Sequence, residues 1–353
     1  MTRSAGAVGV AIALVAGVAI ACGPAAAPSP SPTPSSSASS PASASTTPSP
    51  RASPTPPRSS PERVERGTWR SGAPMPAPRG EVAGAVLGGR LYVAGGLGLL
   101  GATVATFHAY DPAADQWAEL APLPAPRDHL GIAALGGRIY VAGGGILGAA
   151  GVRPEAWMYD PRADRWSAIA PMPAGRKAFA LVPLNGRLYA VGGVVRGADP
   201  TSVDVYDPAT NAWRSDVAPL PAPREHVAGA AFDGRVWLIA GRWAGDLATV
   251  ESYDPATDAW ASAPNLPLPR GGLTAAVLDG RIHVTGGESV NGTFSEHEVF
   301  DPAAGTWSLW PDLPNHRHGL ASGVVGNDWI VAGGGRSPNL SVSDVVDIFT
   351  DGP

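Results

Sequence analysis

A short pattern, Tyr-Asp-Pro followed by Trp, recurs down the chain at nearly constant spacing. It reads Tyr110-Asp111-Pro112 with Trp117, Tyr159-Asp160-Pro161 with Trp166, Tyr206-Asp207-Pro208 with Trp213, Tyr253-Asp254-Pro255 with Trp260, and Phe300-Asp301-Pro302 with Trp307. Successive tryptophans are 49, 47, 47 and 47 residues apart. A unit of this length, made of strand-like segments, cannot bury its apolar face alone. It must stack against copies of itself, as in a propeller or another array of small sheets.

The third unit, residues 176–213, shows the parts. Ala178-Phe179-Ala180-Leu181-Val182 is an apolar run, and Asn185-Gly186 after it is a strong two-residue hairpin signal, because both turn residues must accept positive φ. Arg187-Leu188-Tyr189-Ala190-Val191 reads as a second strand stopped by Gly192-Gly193. After a variable loop, Val203-Asp204-Val205-Tyr206 alternates at period two. Asp207-Pro208 then opens a turn, since Asp bonds the backbone two residues on and Pro presets φ. A fourth strand carries Trp213. Each unit is therefore expected to be a four-stranded antiparallel meander.

Glycine pairs end the second strand at Gly95-Gly96, Gly143-Gly144, Gly192-Gly193, Gly286-Gly287 and Gly333-Gly334. A proline-rich entry ending in arginine precedes every first strand, at Arg79, Arg127, Arg176, Arg224, Arg270 and Arg317. Glycine pair plus Tyr-Asp-Pro and Trp resembles the kelch repeat, from about Thr68 to the end. The resemblance implies an all-β fold, a six-bladed kelch-type β-propeller with four-stranded antiparallel blades. The sixth unit has Phe349 in the tyrosine position but no tryptophan after it, whereas Trp69 lies unclaimed before the first unit. The N-terminal strand around Trp69 is expected to supply the fourth strand of the last blade, which would remove an open sheet edge.

Three regions follow: a signal peptide over 1–22, a stalk over 23–61 and the propeller over 62–353. The leader has one charge, Arg3, then a short apolar run ending Ala19-Ile20-Ala21-Cys22, which resembles a bacterial lipobox with Ala in place of the preferred Leu. Cys22 is the only cysteine, so it is the expected lipid attachment point and no disulfide framework exists. The stalk is Pro, Ser, Ala and Thr with nothing to bury. At ~3.1 Å per residue it reaches at most about 120 Å. The expected location is the outer side of a bacterial cytoplasmic membrane, reached by secretion and held only by the lipid anchor. A net charge of −5 gives no reason to expect nucleic acid. A monomer is expected.

In a meander the loops between second and third strands share a face with the entries to the first strands. Those loops vary (97–104, 146–154, 194–202, 242–248, 288–295, 336–341), whereas the opposite turns are short and repetitive. Variable loops on a rigid ring are where binding usually sits. Three features lie there. The six entry arginines have a structural reading, bonding loop carbonyls or neighbours such as Asp128 and Glu225. They also have a functional one, bidentate capture of a carboxylate or phosphate. The entries of blades five and six bring no acid close by, which predicts unpaired positive potential at the mouth. In blade four the glycine pair reads as broken, Gly241-Arg242, and Arg242 with Trp243 forms a candidate anchor for an acidic ligand. His129, His226 and His318 follow the entry arginines in alternate blades, but their two-blade separation and the offset of His318 argue against convergence on one ion, so no metal and no cofactor is expected.

The expected function is a cell-surface interaction module that binds a protein or an acidic glycan, without catalytic residues. The kelch resemblance also brings enzymes into view. Galactose-oxidase-type copper chemistry needs a cysteine crosslinked to tyrosine, which this propeller lacks. A metal-free enzyme like the bacterial sialic acid mutarotases is the alternative, although no motif carries their catalytic residues across.

Overall fold

The computed structural model describes residues 61–147 and 151–352; the leader, Cys22 and the stalk up to residue 60 lie outside the described residues. Six antiparallel sheets are arranged as blades, and in the first five the strands run from inner to outer in chain order. Blade one is Ala83–Leu87, Arg90–Ala94, Phe107–Asp111 and Gln116–Glu119. Blades two to five repeat this plan from Gly131–Leu135, Ala180–Leu184, Ala228–Phe232 and Gly271–Leu278. The first strands of neighbouring blades touch around the whole ring, including blade six against blade one.

Blade six consists of Ala321–Val325, Asp328–Ala332 and Val346–Thr350, with Thr68–Ser71 as its outer strand. Thr68–Ser71 runs antiparallel to Val346–Thr350, with Trp69 opposite Phe349. The segment just before it, Glu62–Arg63, lies parallel to Ser308 and Leu309 on the outer edge of blade five. The N-terminal stretch therefore ties the outer edges of two blades together.

The repeated residues explain how the blades adhere. Each fourth-strand tryptophan packs on the aromatic of its own third strand, with ring centroids 5.0 Å apart for Tyr110–Trp117 and 5.3 Å for Trp69–Phe349. Each also donates its indole N–H to a carbonyl following the preceding blade: Trp117 to Ala73 (2.9 Å), Trp166 to Ala121 (2.8 Å), Trp213 to Ala170 (2.8 Å), Trp260 to Ala218 (3.1 Å), Trp307 to Pro264 (2.8 Å) and Trp69 to Pro311 (2.7 Å). The tyrosine hydroxyls donate to an acceptor five residues on, for example Tyr159 to Asp164 at 2.6 Å. That same carboxylate accepts the backbone N–H of Ala121 at the preceding blade. The aspartate of the tripeptide caps the turn, with Asp254 accepting from the Ala256 N–H at 2.9 Å.

The glycine pairs do a separate job. The N–H of the second glycine bonds the carbonyl of the next blade's entry arginine: Gly96 to Arg127, Gly144 to Arg176, Gly193 to Arg224, Gly241 to Arg270, Gly287 to Arg317 and Gly334 to Arg79, all between 2.8 and 3.0 Å. Gly143 shows why the first position is glycine. Its φ is +66°, and a Cβ there would lie 2.3 Å from the Arg176 carbonyl oxygen.

Trp69 gives a direct test of this blade-to-blade stitching. Trp69→Ala should lower unfolding stability by roughly 3 kcal/mol, the lower end for a large aromatic truncation. Trp69→Phe should keep the packing and lose only the bond to Pro311, about 1 kcal/mol. Urea titrations of the two variants check the order; equal losses would mean that the hydrogen bond, not the packing, holds the strand.

Candidate functional site

The sequence-predicted residues do not all meet. The six entry arginines are at most 3 % exposed. Their guanidinium groups turn into the blades, and five of them meet a carboxylate of their own blade, four of these at the start of or within the third strand. Arg127 pairs with Glu155 (3.1 Å), Arg176 with Asp204 (2.8 Å), Arg224 with Glu251 (2.7 Å), Arg270 with Glu298 (2.5 Å) and Arg317 with Asp347 (2.5 Å). Several also donate to the glycine carbonyl of their own blade, as Arg176 does to Gly192 at 2.6 Å. The expectation of unpaired positive charge at the mouth is thus corrected. The acids lie about 28 residues downstream, beyond the reach of a search limited to the entry.

Arg79 is the exception. Its third-strand partner is His108, whose Nδ1 lies 3.0 Å from the guanidinium, and it also donates to the Gly95 carbonyl and to Thr106 Oγ1, each at 2.9 Å. Burial lowers the Arg79 pKa to about 10. Burial and, after it, the Arg79 charge hold His108 down to about 4.

Blade four also differs from its sequence reading. The residue in place of the first glycine is Ala240, held at φ +53°, and Gly241 occupies the second position. Arg242 is therefore not a lost glycine. It lies one position beyond the pair, where it pairs with Glu225 as Gly145 does with Asp128. It donates from Nε to Glu225 Oε1 and from Nη1 to Glu288 Oε1, both at 2.9 Å, so its charge is already compensated. Trp243 stays 43 % exposed on the rim.

The residues two after each entry arginine form an inner ring at the channel mouth. They are Glu81, His129, Ala178, His226, Gly272 and Gly319, and all have positive φ, from +50° to +68°. Each is hydrogen-bonded to the next: the N–H of His129 to the Glu81 carbonyl, Ala178 to His129, His226 to Ala178, Gly272 to His226 and Gly319 to Gly272, and Val82 completes the ring by donating to Gly319. The ring is narrow, so side chains from different blades meet inside it. The rings of His129 and His226 are 5.0 Å apart, edge to face. His129 Nε2 lies 3.1 Å from Glu81 Oε2, and His318 Nδ1 lies 3.2 Å from Glu81 Oε1. The expectation that two-blade separation keeps these histidines apart is corrected by this geometry. His318 does carry the offset seen in the sequence: it belongs to the outer position, bridged to Gly335, and reaches Glu81 from behind.

An outer layer of acids holds the histidines. Asp128 Oδ1 lies 2.8 Å from His129 Nδ1, and Glu225 bonds His226 Nδ1. Glu288 lies 3.5 Å from His318 Nε2 and accepts the Asn339 N–H. Burial alone would raise the Glu81 carboxyl, but the surrounding histidines, His129 foremost, outweigh it and hold the group well below the usual carboxylate range. Below the ring lies a cavity of about 180 Å³ lined by the first strands. In the chain Glu81 stands out only as an acid two residues after the entry Arg79, and Glu288 only by its place after a glycine pair.

The description "Kelch motif" matches residues 78–124 and 126–173, and "KLHDC2/KLHL20/DRC7 Kelch-repeats domain" matches 178–350. The chain belongs to the kelch-repeat β-propeller family. Among solved structures, that titled "Structure of YjhT" superposes with a TM-score of 0.66 at 19 % identity, over 79 % of this chain and 99 % of that one. At this identity the likeness concerns the kelch fold alone. No curated protein sequence matches.

His108 supplies the pH test. Unfolded, its imidazole takes a proton near 6.5; folded, only near 4. Between these values the unfolded chain binds the extra proton, so this residue removes stability as pH falls, by at most about 1.4 kcal/mol per pH unit. His108→Gln keeps an acceptor for Arg79 and does not titrate. Measured by urea unfolding, its stability relative to wild type should rise as pH drops from 6.5 to 4.5; a difference that is constant with pH would show that His108 does not titrate as described.

Proposed function

We propose that this propeller is a protein-binding module that docks its partner on the variable-loop face. One observation carries the reading. The exposed large apolar side chains among the described residues are Leu99, Leu100, Leu147, Trp243, Val290 and Leu340, and every one lies on a loop between a second and a third strand. Four of them gather on neighbouring blades. The space beside Gly101 is bounded by Leu147 of blade two and Leu340 of blade six, next to Leu99 and Leu100 of blade one. Apolar side chains clustered on one face of a soluble ring mark an interaction surface.

An apolar, loop-built surface suits a protein partner better than an acidic glycan. A sugar acid would need free guanidinium groups, and the entry arginines are consumed inside the blades while Arg242 is held between two carboxylates. Each leucine buried on docking contributes on the order of 1.5–3 kcal/mol. Leu100→Asp with Leu340→Asp should therefore weaken binding at least tenfold without changing the melting temperature. A pull-down from cell-envelope extract, run beside a glycan array, checks this. Retention of a glycan ligand by both forms, with no protein lost from the variant, would move the reading to carbohydrate binding.

The module is held, on this proposal, at the outer side of the membrane through a lipid on Cys22. The lipobox-like sequence and the absence of a second cysteine support it. Cys22→Ser should shift the protein from the membrane pellet to the soluble fraction, and the wild-type N-terminal peptide should carry acyl mass. Unchanged fractionation together with an unmodified wild-type peptide would refute the anchor.

A further inference from the structure

We propose that Glu81, His129 and His226 form a binding site for a divalent transition-metal ion, zinc in the first place, at the mouth of the propeller channel. The site is independent of the docking face and lies beneath it.

The donor geometry is the first support. One ligand atom from each residue lies within 4.8 Å of the others. The His129 Nε2 to Glu81 Oε2 distance is 3.1 Å. Two ligands each ~2.1 Å from a shared ion stand roughly 3.0–3.4 Å apart, for bond angles between the octahedral and tetrahedral values. That pair is already placed as the edge of a coordination shell.

The supporting layer is the second. A metal-bound histidine characteristically gives its other ring N–H to a carboxylate, which fixes the tautomer and aims the free nitrogen at the ion. Both histidines have that arrangement: Asp128 on the Nδ1 of His129, and Glu225 on the Nδ1 of His226. Each supporting carboxylate is anchored in turn, Asp128 by the Thr103 hydroxyl at 2.7 Å and Glu225 by Arg242. Glu81 is backed by His318 through its other oxygen. With Nδ1–H donated to Asp128, the Nε2 of a neutral His129 and the Glu81 carboxylate are both acceptors facing each other. Such a pair needs a cation between or beside it, and the candidates are a proton or a metal ion.

Charge and access agree. Glu81, Asp128, Glu225 and Glu288 bring four carboxylates to the cluster, against Arg242 and the nearby Lys177. All three proposed ligands line the cavity, which leaves room for water or a further ligand on the open side of the ion. Two nitrogens and one carboxylate oxygen suit zinc, and also iron(II) or manganese, more than a hard alkaline-earth ion.

The test is titration of the full chain, purified without an affinity tag and stripped with chelator, against zinc chloride by calorimetry. The wild type should bind one zinc ion per chain saturably, with a melting temperature that rises as zinc is added. Glu81→Gln and the double change His129→Gln with His226→Gln should each remove this binding. Asp128→Asn, which spares the ligands, should weaken it by roughly 10–100-fold. Circular dichroism establishes that each variant is folded. The wild-type titration stands even if a variant is not: no saturable zinc binding to the folded wild type, or undiminished binding by the folded double variant, overturns the site and leaves a proton as the cation of this cluster.

Discussion

The hydrogen bond from each second glycine to the entry arginine's carbonyl in the next blade is the contact on which the ring depends. It joins every blade to its neighbour at the level of the channel mouth, and the bond from Gly334 to Arg79 closes the circle. It can form only if the chain turns sharply at the end of the second strand, through two residues at positive φ. Glycine meets this without a Cβ clash. Ala240 shows the exception, held at positive φ by the blade around it.

The arginine whose carbonyl takes that bond directs its side chain the other way, into its own blade. In blades three, five and six the guanidinium bridges the first glycine's carbonyl and a third-strand acid, tying the loop to the sheet. A buried pair of this kind contributes little net stability over an apolar pair, but losing one partner strands a charge and costs several kcal/mol. The two layers are linked. Fixing the arginine backbone fixes the two residues after it, and these carry the acids and histidines of the channel mouth. The chemistry-bearing cluster is thus displayed by the same turn that closes the ring.

Asymmetry within the repeat is where function can enter. Six equivalent inner-ring positions hold Glu, His, Ala, His, Gly and Gly, and the six loops above them differ in length and in apolar content. The stitching residues are nearly identical from blade to blade because each must satisfy the same neighbour. The inner ring and the loops are under no such demand, and they are where blades diverge.

Much of the fold was legible in the chain. The tryptophan period, the glycine pairs and the hairpin dipeptides act within a single unit, over distances of a few residues, so local physics determines them. The four strands of each blade and the count of six follow from that repetition. The entry arginines were visible too, but not their partners, since Arg270 and Glu298 meet only after two strands have folded back. The channel-mouth cluster was out of reach for the same reason. Residues 81, 129 and 226 are separated by whole blades in the chain, and only the radius of the closed ring, set by how first strands pack, decides that their side chains meet within a few ångströms.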